Sequence, residues 1–387
     1  MLEHLRNPQT IVVAMSGGVD SSVAAALLVE QGYQVIGIML RLWSEEGQEA
    51  DNRCCTPDAM ALGRRVAAKL GIPFYVLNAE EIFYQTVVRA FIDGYAQGIT
   101  PNPCLTCNRL IRWEFLLDHA LALGADFLAT GHYARLRDFS PASPPPTLGE
   151  VEGAKAKTVQ LLRAADESKD QSYVLHLLNQ QQLRRALFPI GDYAKSQVRE
   201  LARRFDLPVA ERQESQDLCF LGNENYRDFL RRHAPQVVNP GPILDREGNP
   251  LGKHQGLAFF TIGQRKGLAI RAPTPLYVLE KDLQRNALIV GRREELSRLE
   301  LIAGSLNWIS GEAPSVPRRV RAKIRYTAPL VWGTLTSLSN GYAHFVFDVS
   351  PRDITPGQAV VFYEGEVVLG GGIIQPQSIL SHPQSTI

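Results

Sequence analysis

The sequence predicts an α/β protein in which a doubly wound parallel sheet comes first and a small antiparallel β domain or barrel closes the chain. Apolar runs alternate with stretches of helical periodicity in the first half of the chain. A glycine-rich turn directly follows the first apolar run, and from about residue 256 onward short apolar runs are separated by Gly, Pro, Asn and Asp. With 387 residues, the chain is long enough for two or three domains that each bury a core.

The first half predicts strands and helices in alternation, which implies a parallel sheet with helices on both faces. Ligands of such sheets bind beyond the carboxyl ends of the strands. The motifs Ser-Gly-Gly-Val-Asp-Ser at 16–21 and Thr-Gly-His-Tyr at 130–133 both begin where an apolar run stops, so we expect them to share one cleft. The strands are predicted at 11–15, 35–40, 74–77 and 126–129, and the helices at 21–30, 57–70, 80–97 and 109–123.

The rest of the chain predicts an exposed excursion at 138–158, which is rich in proline and small polar residues. Helices are expected at 180–187, 194–205 and 223–233, and strands at 257–262, 276–279, 287–290, 331–335, 343–347, 359–363 and 367–369. We therefore expect an α/β domain at 1–213, a central domain at 214–286, a barrel at 287–375 and a flexible tail at 376–387.

Residues 11–22 have the pattern of a strand that leads into a phosphate-binding turn. Gly17 and Gly18 let the backbone approach an oxyanion closely, and the helix that follows directs its N-terminal amides and dipole at the ligand. The lysine of the Walker pattern is missing, and the spacing is not Gly-x-Gly-x-x-Gly. The pattern therefore indicates a phosphate site of a different type.

Composition and charge set modest bounds on function. The chain has 41 basic and 40 acidic residues, so a nucleic-acid surface must be a local patch. No apolar run approaches the roughly 18 residues of a membrane span, and the first residues do not resemble a secretory signal. Five cysteines in a chain of this length suit a reducing compartment. We expect a cytoplasmic protein without a membrane partner.

The cysteines are candidates for chemistry. Cys104 and Cys107 lie in a turn-rich segment before a helix predicted to start near Asn108, and a helix N-terminus favours the thiolate. With the distant Cys219 they allow a redox dithiol, a metal or iron–sulfur site, or a persulfide carrier. A zinc site that adds the adjacent pair at 54–55 is a further alternative, although neighbouring cysteines chelate awkwardly and Cys54 and Cys55 also fit buried, inert thiols.

Residues 319–326 alternate between basic and apolar side chains. In a strand, the basic side chains would share one face while the apolar ones pack on the other. Such a stripe suits either an RNA backbone or a solvated edge strand that resists aggregation. The basic face would hold Arg319, Arg321, Lys323 and Arg325, and the packed face Val320, Ala322, Ile324 and Tyr326.

These features together resemble the bacterial tRNA-specific 2-thiouridylases, and the resemblance covers about residues 10 to 374. It implies an ATP pyrophosphatase domain, a central domain and a β barrel. It also implies a tRNA-uridine 2-sulfurtransferase that thiolates the wobble uridine. The matching motifs are Ala14-Met-Ser-Gly-Gly-Val-Asp-Ser21, Thr100-Pro-Asn-Pro-x-x-x-Cys107-Asn, Ala129-Thr-Gly-His-Tyr133, Ser168-Lys-Asp-Gln-Ser-Tyr173, Cys219-Phe-Leu-Gly, His254-Gln-Gly-Leu257, Gly263-Gln-Arg-Lys-Gly-Leu268, Thr355-Pro-Gly-Gln358 and Leu369-Gly-Gly-Gly-Ile373.

The resemblance implies that ATP adenylates the uracil oxygen at C2 and that pyrophosphate leaves. Mg²⁺ would offset the phosphate charge, with Asp20 as a candidate helper to the ion. Leu40 would lie near the adenine. The implied ATP-binding residues are Ala14, Met15, Ser16, Gly17, Gly18, Val19, Asp20, Ser21, Leu40 and Gly131.

The resemblance also implies the route of the sulfur. Cys219 would carry a persulfide received from a cysteine desulfurase or sulfur-relay protein, and Cys107 would attack it or complete a disulfide with it. A thiolate is a stronger nucleophile at neutral pH than water or a hydroxyl. The implied tRNA-binding residues are Asn102, Pro103, Cys104, His132, Lys169, Asp170, Gln171, Arg325, Tyr326 and Gln358.

One position departs from the family pattern. Many relatives have an aspartate three residues before the catalytic cysteine, where this chain has Cys104. A thiol cannot replace a carboxylate without a change in proton transfer, so Cys104 is a candidate assisting thiol. Alternatively, Cys104, Cys107 and Cys219 would hold a [4Fe–4S] cluster whose open iron binds hydrosulfide. A different ATP-pyrophosphatase ligase and a non-catalytic RNA-binding or iron-sensing module are the alternatives from other function classes.

Overall fold

A computed structural model describes residues 9–45, 56–137, 158–212, 218–222 and 224–376. The adjacent pair Cys54 and Cys55, most of the predicted excursion at 138–158 and nearly all of the predicted tail lie outside the described residues. Within the described ranges, none of the helices combines the length and the apolar character that crossing a membrane requires.

The first domain is built on a five-stranded parallel sheet of order β3-β2-β1-β4-β7, as the strand–helix alternation predicts. The four predicted strands are confirmed, and β7 falls where the sequence predicts the end of a helix. A two-residue strand that pairs with β4 has no periodicity of its own to reveal it. The strands up to this point are β1 (Thr10–Ala14), β2 (Gln34–Arg41), β3 (Phe74–Asn78), β4 (Phe127–Thr130), β5 (Ala134–Arg137), β6 (Gln160–Arg163) and β7 (Ala186–Leu187).

Helices cover both faces of this sheet. Successive residues of β1 point to opposite faces, so they pack in two different helix layers. Ile11 and Val13 pack in the cluster that contains Val23, whereas Val12 packs in the cluster that contains Trp113. The helices are α1 (Val19–Glu30), α2 (Pro57–Leu70), α3 (residues 80–96), α4 (residues 103–122), α5 (Ser172–Leu175), α6 (Gln180–Leu183), α7 (Lys195–Arg204) and α8 (Tyr226–His233).

Helix α4 begins six residues before the predicted start at 109. Pro103 occupies the first turn, and the side chain of Asn102 accepts a hydrogen bond from the backbone amide of Cys104 (3.2 Å). Proline and asparagine are favourable at a helix start, although the sequence analysis interpreted them as a loop. Cys104 and Cys107 therefore lie inside the first turns of α4, rather than in a loop before it.

The central domain has a four-stranded sheet of order β10-β11-β8-β9. Its strands are β8 (Gly241–Leu244), β9 (Pro250–His254), β10 (Tyr277–Asp282) and β11 (Ala287–Gly291). Strand β11 pairs with β10 and β8, so residues 287–291 belong to this sheet, although the predicted barrel begins at 287. The strand predicted at 257–262 is instead a short 3₁₀ turn, Leu257–Phe259, which follows the unusual backbone of Gly256 (φ +159°).

A closed six-stranded antiparallel barrel forms the last domain, as predicted. Strands β12 (Glu300–Trp308), β13 (Arg318–Lys323), β14 (Val331–Ser337), β15 (Ala343–Phe347), β16 (Ala359–Glu364) and β17 (Val367–Ile374) run in the order β12-β15-β14-β13-β16-β17, and β12 pairs with β17 to close it. The hairpin of β5 and β6 joins this sheet through β17. The first domain and the barrel thus share a continuous sheet.

The basic stripe is only partly as predicted. Val320, Ala322 and Ile324 are buried, as expected, but the strand ends at Lys323 and the Tyr326 side chain is 40% exposed instead of packed inside. Acidic groups also neutralise part of the stripe. Arg319 pairs with Asp348, and Arg325 pairs with Asp353 at 3.3 Å.

Candidate functional site

A pocket of about 160 Å³ lies where β1, β2 and β4 end, as expected for a parallel sheet. The phosphate-loop motif and the Thr-Gly-His-Tyr motif both line it, so they do share one cleft. Cys107 lies in the same wall. The lining residues are Ala14, Met15, Ser16, Asp20, Ser21, Ile38, Leu40, Leu42, Cys107, Arg112, Leu116, Thr130, Gly131, His132 and Gln171.

The turn between β1 and α1 has the geometry of an anion site. Gly17 has a left-handed backbone (φ +68°), and Arg212 donates a hydrogen bond to its carbonyl oxygen (2.6 Å). Gly18 caps α1, and no side chain caps the first turn there. Ser16, Asp20 and Ser21 line the cleft, whereas Gly17, Gly18 and Val19 do not, and the positive end of the helix dipole lies at this turn.

Gly131 holds the end of β4 against this turn. A Cβ atom at Gly131 would lie 2.6 Å from the backbone nitrogen of Ser21 and 2.7 Å from the carbonyl carbon of Asp20. A side chain there would push the strand away from the helix N-terminus. The glycine is therefore needed for the pocket wall to close on the phosphate turn.

Lys195 supplies a cation to the phosphate turn. Its Nζ lies 2.6 Å from Asp20 Oδ1, which also accepts a hydrogen bond from the Tyr133 hydroxyl (2.8 Å). The lysine side chain is only 13% exposed. Lys195 could not be predicted from the sequence, because it stands at the start of α7, 175 residues from Asp20, where no motif marks it as part of this site.

His132 is buried in the wall and neutral. Its Nδ1 lies 2.8 Å from Thr130 Oγ1, and its Nε2 lies 3.4 Å from Arg112 Nη1. Burial, and secondly the charge of Arg112, lower the pKa of His132 to about 3. Because a guanidinium only donates hydrogen bonds, Nε2 accepts from Arg112, and Nδ1 therefore carries the proton that is donated to Thr130.

The low pKa of His132 predicts a loss of stability in acid. Below pH 6.5, the ordinary pKa of histidine, the unfolded chain binds a proton at His132 that the folded protein excludes. The contribution of the neutral His132 ring to the unfolding free energy is therefore complete above pH 6.5 and declines as the pH falls towards 3. Between about pH 7 and about pH 5, wild type should lose ~2 kcal/mol more unfolding free energy than His132→Gln. Urea unfolding at both pH values measures this difference. Equal losses in both proteins would contradict the assignment.

The three described cysteines differ in their surroundings. Cys104 is exposed, whereas Cys107 and Cys219 are partly buried against the same hydrophobic cluster, which contains Phe83 and Phe220. Cys219 begins a short 3₁₀ turn, Cys219–Leu221. Among the residues that the structure describes, no three His, Cys, Asp or Glu side chains are grouped to hold a metal ion.

The segment that leads to the cysteines is held by all three domains. Gln358 of the barrel donates a hydrogen bond to the carbonyl oxygen of Thr100 (2.8 Å), and a side chain at Gly357 would overlap Ile99. On the other side, a Cβ at Gly98 would lie 2.5 Å from Leu283 of the central domain. Contacts from the barrel and from the central domain together therefore fix the segment before α4.

Two neighbouring residues implied in tRNA binding have different surroundings. Gln171 lines the pocket, and its side chain accepts a hydrogen bond from the backbone amide of Tyr133 (2.9 Å). Asp170 is buried, and its carboxylate accepts from the backbone amides of Ala164 (3.2 Å) and Ser172 (3.1 Å). The Asp170 side chain thus orders the turn of residues 169–171 and is not presented at the surface.

Tyr326 connects the barrel to that turn. Its ring lies 6.4 Å from the ring of Tyr173, and the ammonium of Lys323 lies 5.5 Å from the centre of the Tyr326 ring. Tyr173 in turn donates a hydrogen bond to the carbonyl oxygen of Ala359 in the barrel (2.9 Å). Tyr173, two residues after Gln171, therefore packs against the barrel at Tyr326 and Ala359.

A larger cavity, about 380 Å³, lies in the central domain and reaches Ile354 of the barrel. Its charged lining is mixed, with an Arg246–Glu295 ion pair at 3.3 Å. None of the three described cysteines and none of the phosphate-turn residues line it. We therefore assign the candidate active site to the smaller pocket.

Comparisons with known proteins identify the three domains. Three family models match in succession: "tRNA methyl transferase HUP domain" over residues 9–223, "tRNA methyl transferase PRC-barrel domain" over 227–292 and "Aminomethyltransferase beta-barrel domain" over 298–374. A 4-thiouridine synthetase in complex with RNA and ATP is similar over 59% of this chain and 51% of its own, with 16% identity and a TM-score of 0.31, which is too low to support an argument.

Full-length relatives decide the family. The tRNA-specific 2-thiouridylase MnmA of Roseiflexus castenholzii is 48% identical over 94% of this chain and 98% of its own length. The protein of the same name in Magnetococcus marinus is 46% identical over 96% and 100%, and that of Moorella thermoacetica is 48% identical over 94% and 99%. Although two of the family models are described by methyl transfer, these relatives match all three domains in order, and the chain therefore belongs to the family of the tRNA-specific 2-thiouridylases.

Proposed function

We propose that this protein thiolates the wobble uridine of tRNA at C2 in an ATP-dependent reaction. The observation that carries the proposal is that one pocket joins the phosphate-binding turn of α1 to the thiol of Cys107. A nucleotide held in the turn and a sulfur nucleophile that lines the same pocket would meet at one small cavity. The names of the full-length relatives supply the substrate class.

ATP would bind with its phosphates on the amides of the turn at 16–21 and its adenine against the apolar wall of Ile38, Leu40 and Leu42. Lys195 would take the part of the lysine that the turn itself lacks, since it is held beside the turn by Asp20. Mg²⁺, carried in with ATP, would neutralise phosphate charge. Asp20 already binds the Lys195 ammonium and the Tyr133 hydroxyl. Its carboxylate would therefore assist the ion only while it also holds these two groups.

In the first step, the C2 oxygen of uracil would attack the α-phosphorus of ATP. A new oxygen–phosphorus bond forms while the bond to the β-phosphate oxygen breaks, so pyrophosphate leaves with the electron pair. The uracil then carries AMP on the C2 oxygen. This converts a poor leaving group into a good one, and the cations and amides around the turn stabilise the charge on the departing pyrophosphate.

In the second step, sulfur would replace that oxygen. Cys219 would carry a persulfide supplied by a cysteine desulfurase or a sulfur-relay protein. Cys107 would attack its inner sulfur to form a Cys107–Cys219 disulfide and release the outer sulfur for C2, or would otherwise pass that sulfur on. The partial burial of both cysteines against one hydrophobic cluster supports their working together. A thiol reductant of the cytoplasm would then supply two electrons to this disulfide and restore both thiols for the next cycle.

The tRNA would reach the pocket across the junction of the first domain and the barrel. Lys169, Gln171, Arg325 and Tyr326 would contact the tRNA there; the ring contact of Tyr326 with Tyr173 and the positions of Gln171 and His132 in the pocket lining support this. Asn102, Pro103 and Cys104 would lie near the target base at the start of α4. Gln358 would act there indirectly, because its side-chain amide holds the backbone of Thr100. Asp170 would likewise act by ordering its turn.

Cys104 in place of an aspartate keeps a second sulfur route open, in which Cys104, Cys107 and Cys219 hold a [4Fe–4S] cluster. In the conformation described, these cysteines are not grouped as metal ligands. An ATP-pyrophosphatase ligase of another class would share the phosphate turn, but it would have no use for a thiol in the pocket wall.

Thiolation of a tRNA transcript by the purified protein tests the proposal. Nucleoside mass spectrometry should detect 2-thiouridine only when ATP and a persulfide donor are both present, with one pyrophosphate released per thiouridine. A transcript with cytidine at the wobble position is the matched control. Pyrophosphate release without any thiolated uridine, under aerobic and anaerobic conditions alike, would favour a ligase and contradict the proposal.

A further inference from the structure

We propose that Arg112 is a catalytic residue of the second half-reaction, in which its guanidinium binds the phosphate of AMP as AMP leaves C2. This inference rests on the proposed function and adds a residue to it. None of the sequence motifs named above contains Arg112. In the structure, Arg112 lines the same pocket as the phosphate turn and Cys107.

The helical geometry explains why Arg112 shares that wall. Residues Cys107–Leu116 of α4 have π-helical hydrogen bonding, in which a backbone amide donates to the carbonyl oxygen five residues earlier. Side chains five residues apart therefore lie near the same side of the helix. Cys107 and Arg112 are five residues apart and both line the pocket. In an α-helix of about 3.6 residues per turn, side chains five apart would diverge by roughly 140°. The π segment thus brings the cation and the thiol to one wall.

His132 orients the guanidinium. The neutral ring accepts a hydrogen bond from Arg112 Nη1 at 3.4 Å, and Thr130 holds the opposite side of the ring. A guanidinium has five N–H donors in a planar fork, so it can bind a phosphate while it also holds protein partners. Because arginine stays protonated, its charge is available throughout the reaction. His132 is accordingly a positioning residue for Arg112.

The charge on the α-phosphate decides at which step this cation matters most. In ATP and in the adenylated uracil alike, that phosphorus is linked to two substituents and carries one negative charge. When sulfur adds to C2 and the C2–oxygen bond breaks, the electron pair stays on the phosphate oxygen and AMP gains a second negative charge. A fixed cation beside the phosphate therefore stabilises the second transition state more than the first.

Single-turnover kinetics of Arg112→Ala test the proposal. Pyrophosphate release should stay within a few-fold of wild type, while 2-thiouridine formation falls by roughly 10²–10³-fold and adenylated tRNA accumulates. Arg112→Lys should recover part of the rate, because it restores the charge without the planar fork. Arg109→Ala is the matched control, since Arg109 lies on the same helix with its side chain 60% exposed. It should behave as wild type.

The outcomes separate this inference from the proposed function. Unchanged thiolation in Arg112→Ala, or an equal fall in pyrophosphate release and thiolation, would overturn the role of Arg112. Absence of adenylated tRNA from wild type and every variant would instead overturn the proposed function. For His132, the change to Gln keeps a hydrogen-bond acceptor and should slow thiolation less than the change to Leu. Neither change should slow it further in an Arg112→Ala background, since its effect passes through Arg112.

Discussion

Cys107→Ser is expected to abolish thiolation while ATP cleavage continues. A serine hydroxyl is almost fully protonated at neutral pH and cannot take up or deliver sulfane sulfur, so 2-thiouridine formation should fall by at least ~10³-fold. Pyrophosphate release should change only a few-fold, because the phosphate turn and Lys195 do not involve the thiol. Parallel assays of pyrophosphate and of 2-thiouridine in one reaction measure the separation.

The other cysteines provide the comparison. Cys219→Ser should also stop thiolation with a persulfide donor, since the carrier is lost. Cys104→Asp, which restores the residue of many relatives, should retain activity if Cys104 only assists. Full thiolation by Cys107→Ser, or loss of pyrophosphate release together with thiolation, would contradict the role of Cys107.

Gly17→Ala is expected to damage the phosphate turn. An alanine there must adopt a left-handed backbone, and its Cβ would lie 2.5 Å from the carbonyl oxygen of Ala59. A strained residue costs about 1–3 kcal/mol, and movement to relieve the clash displaces the amides that face the phosphates. ATP affinity should therefore fall by roughly 10–100-fold or more. Isothermal titration with a non-hydrolysable ATP analogue measures this directly.

Gly32→Ala is the matched control for backbone strain. Gly32 also has a left-handed backbone (φ +85°), but no atom lies within 4 Å of the position of its Cβ. The change should lower the unfolding free energy by about 1–2 kcal/mol and leave ATP affinity unchanged. If Gly17→Ala bound ATP as tightly as Gly32→Ala, the turn at 16–21 would not be the phosphate site.

The sequence predicts the parallel sheet well, because hydrophobic runs such as 11–15 and 35–40 have few alternative structures when helices separate them. It is less informative where the chain is short or irregular. Strand β7 has two residues and is stabilised only by β4, and the apolar run at 257–262 is buried without forming a strand. Periodicity cannot distinguish such cases, since burial alone produces the same pattern.

The site was predictable where one motif carries it and unpredictable where distant residues complete it. The phosphate turn and Gly131 occur in local patterns, and the structure places both at one pocket. Lys195 and Arg112 have no such signal. Lys195 contacts Asp20 only because the tertiary fold brings α7 beside α1. Arg112 lines the pocket because residues 107–116 are π-helical, which no sequence pattern predicts.

Transfer of a heavy oxygen isotope tests the central claim most directly. An anticodon stem-loop labelled with heavy oxygen at C2 of the wobble uridine would be incubated with the protein, ATP and a persulfide donor. Mass spectrometry then measures how much of the AMP product carries the label. If ATP activates the C2 oxygen, every 2-thiouridine formed should be matched by one AMP that carries the label. Formation of 2-thiouridine with unlabelled AMP would show that the oxygen leaves by another route and would contradict the account.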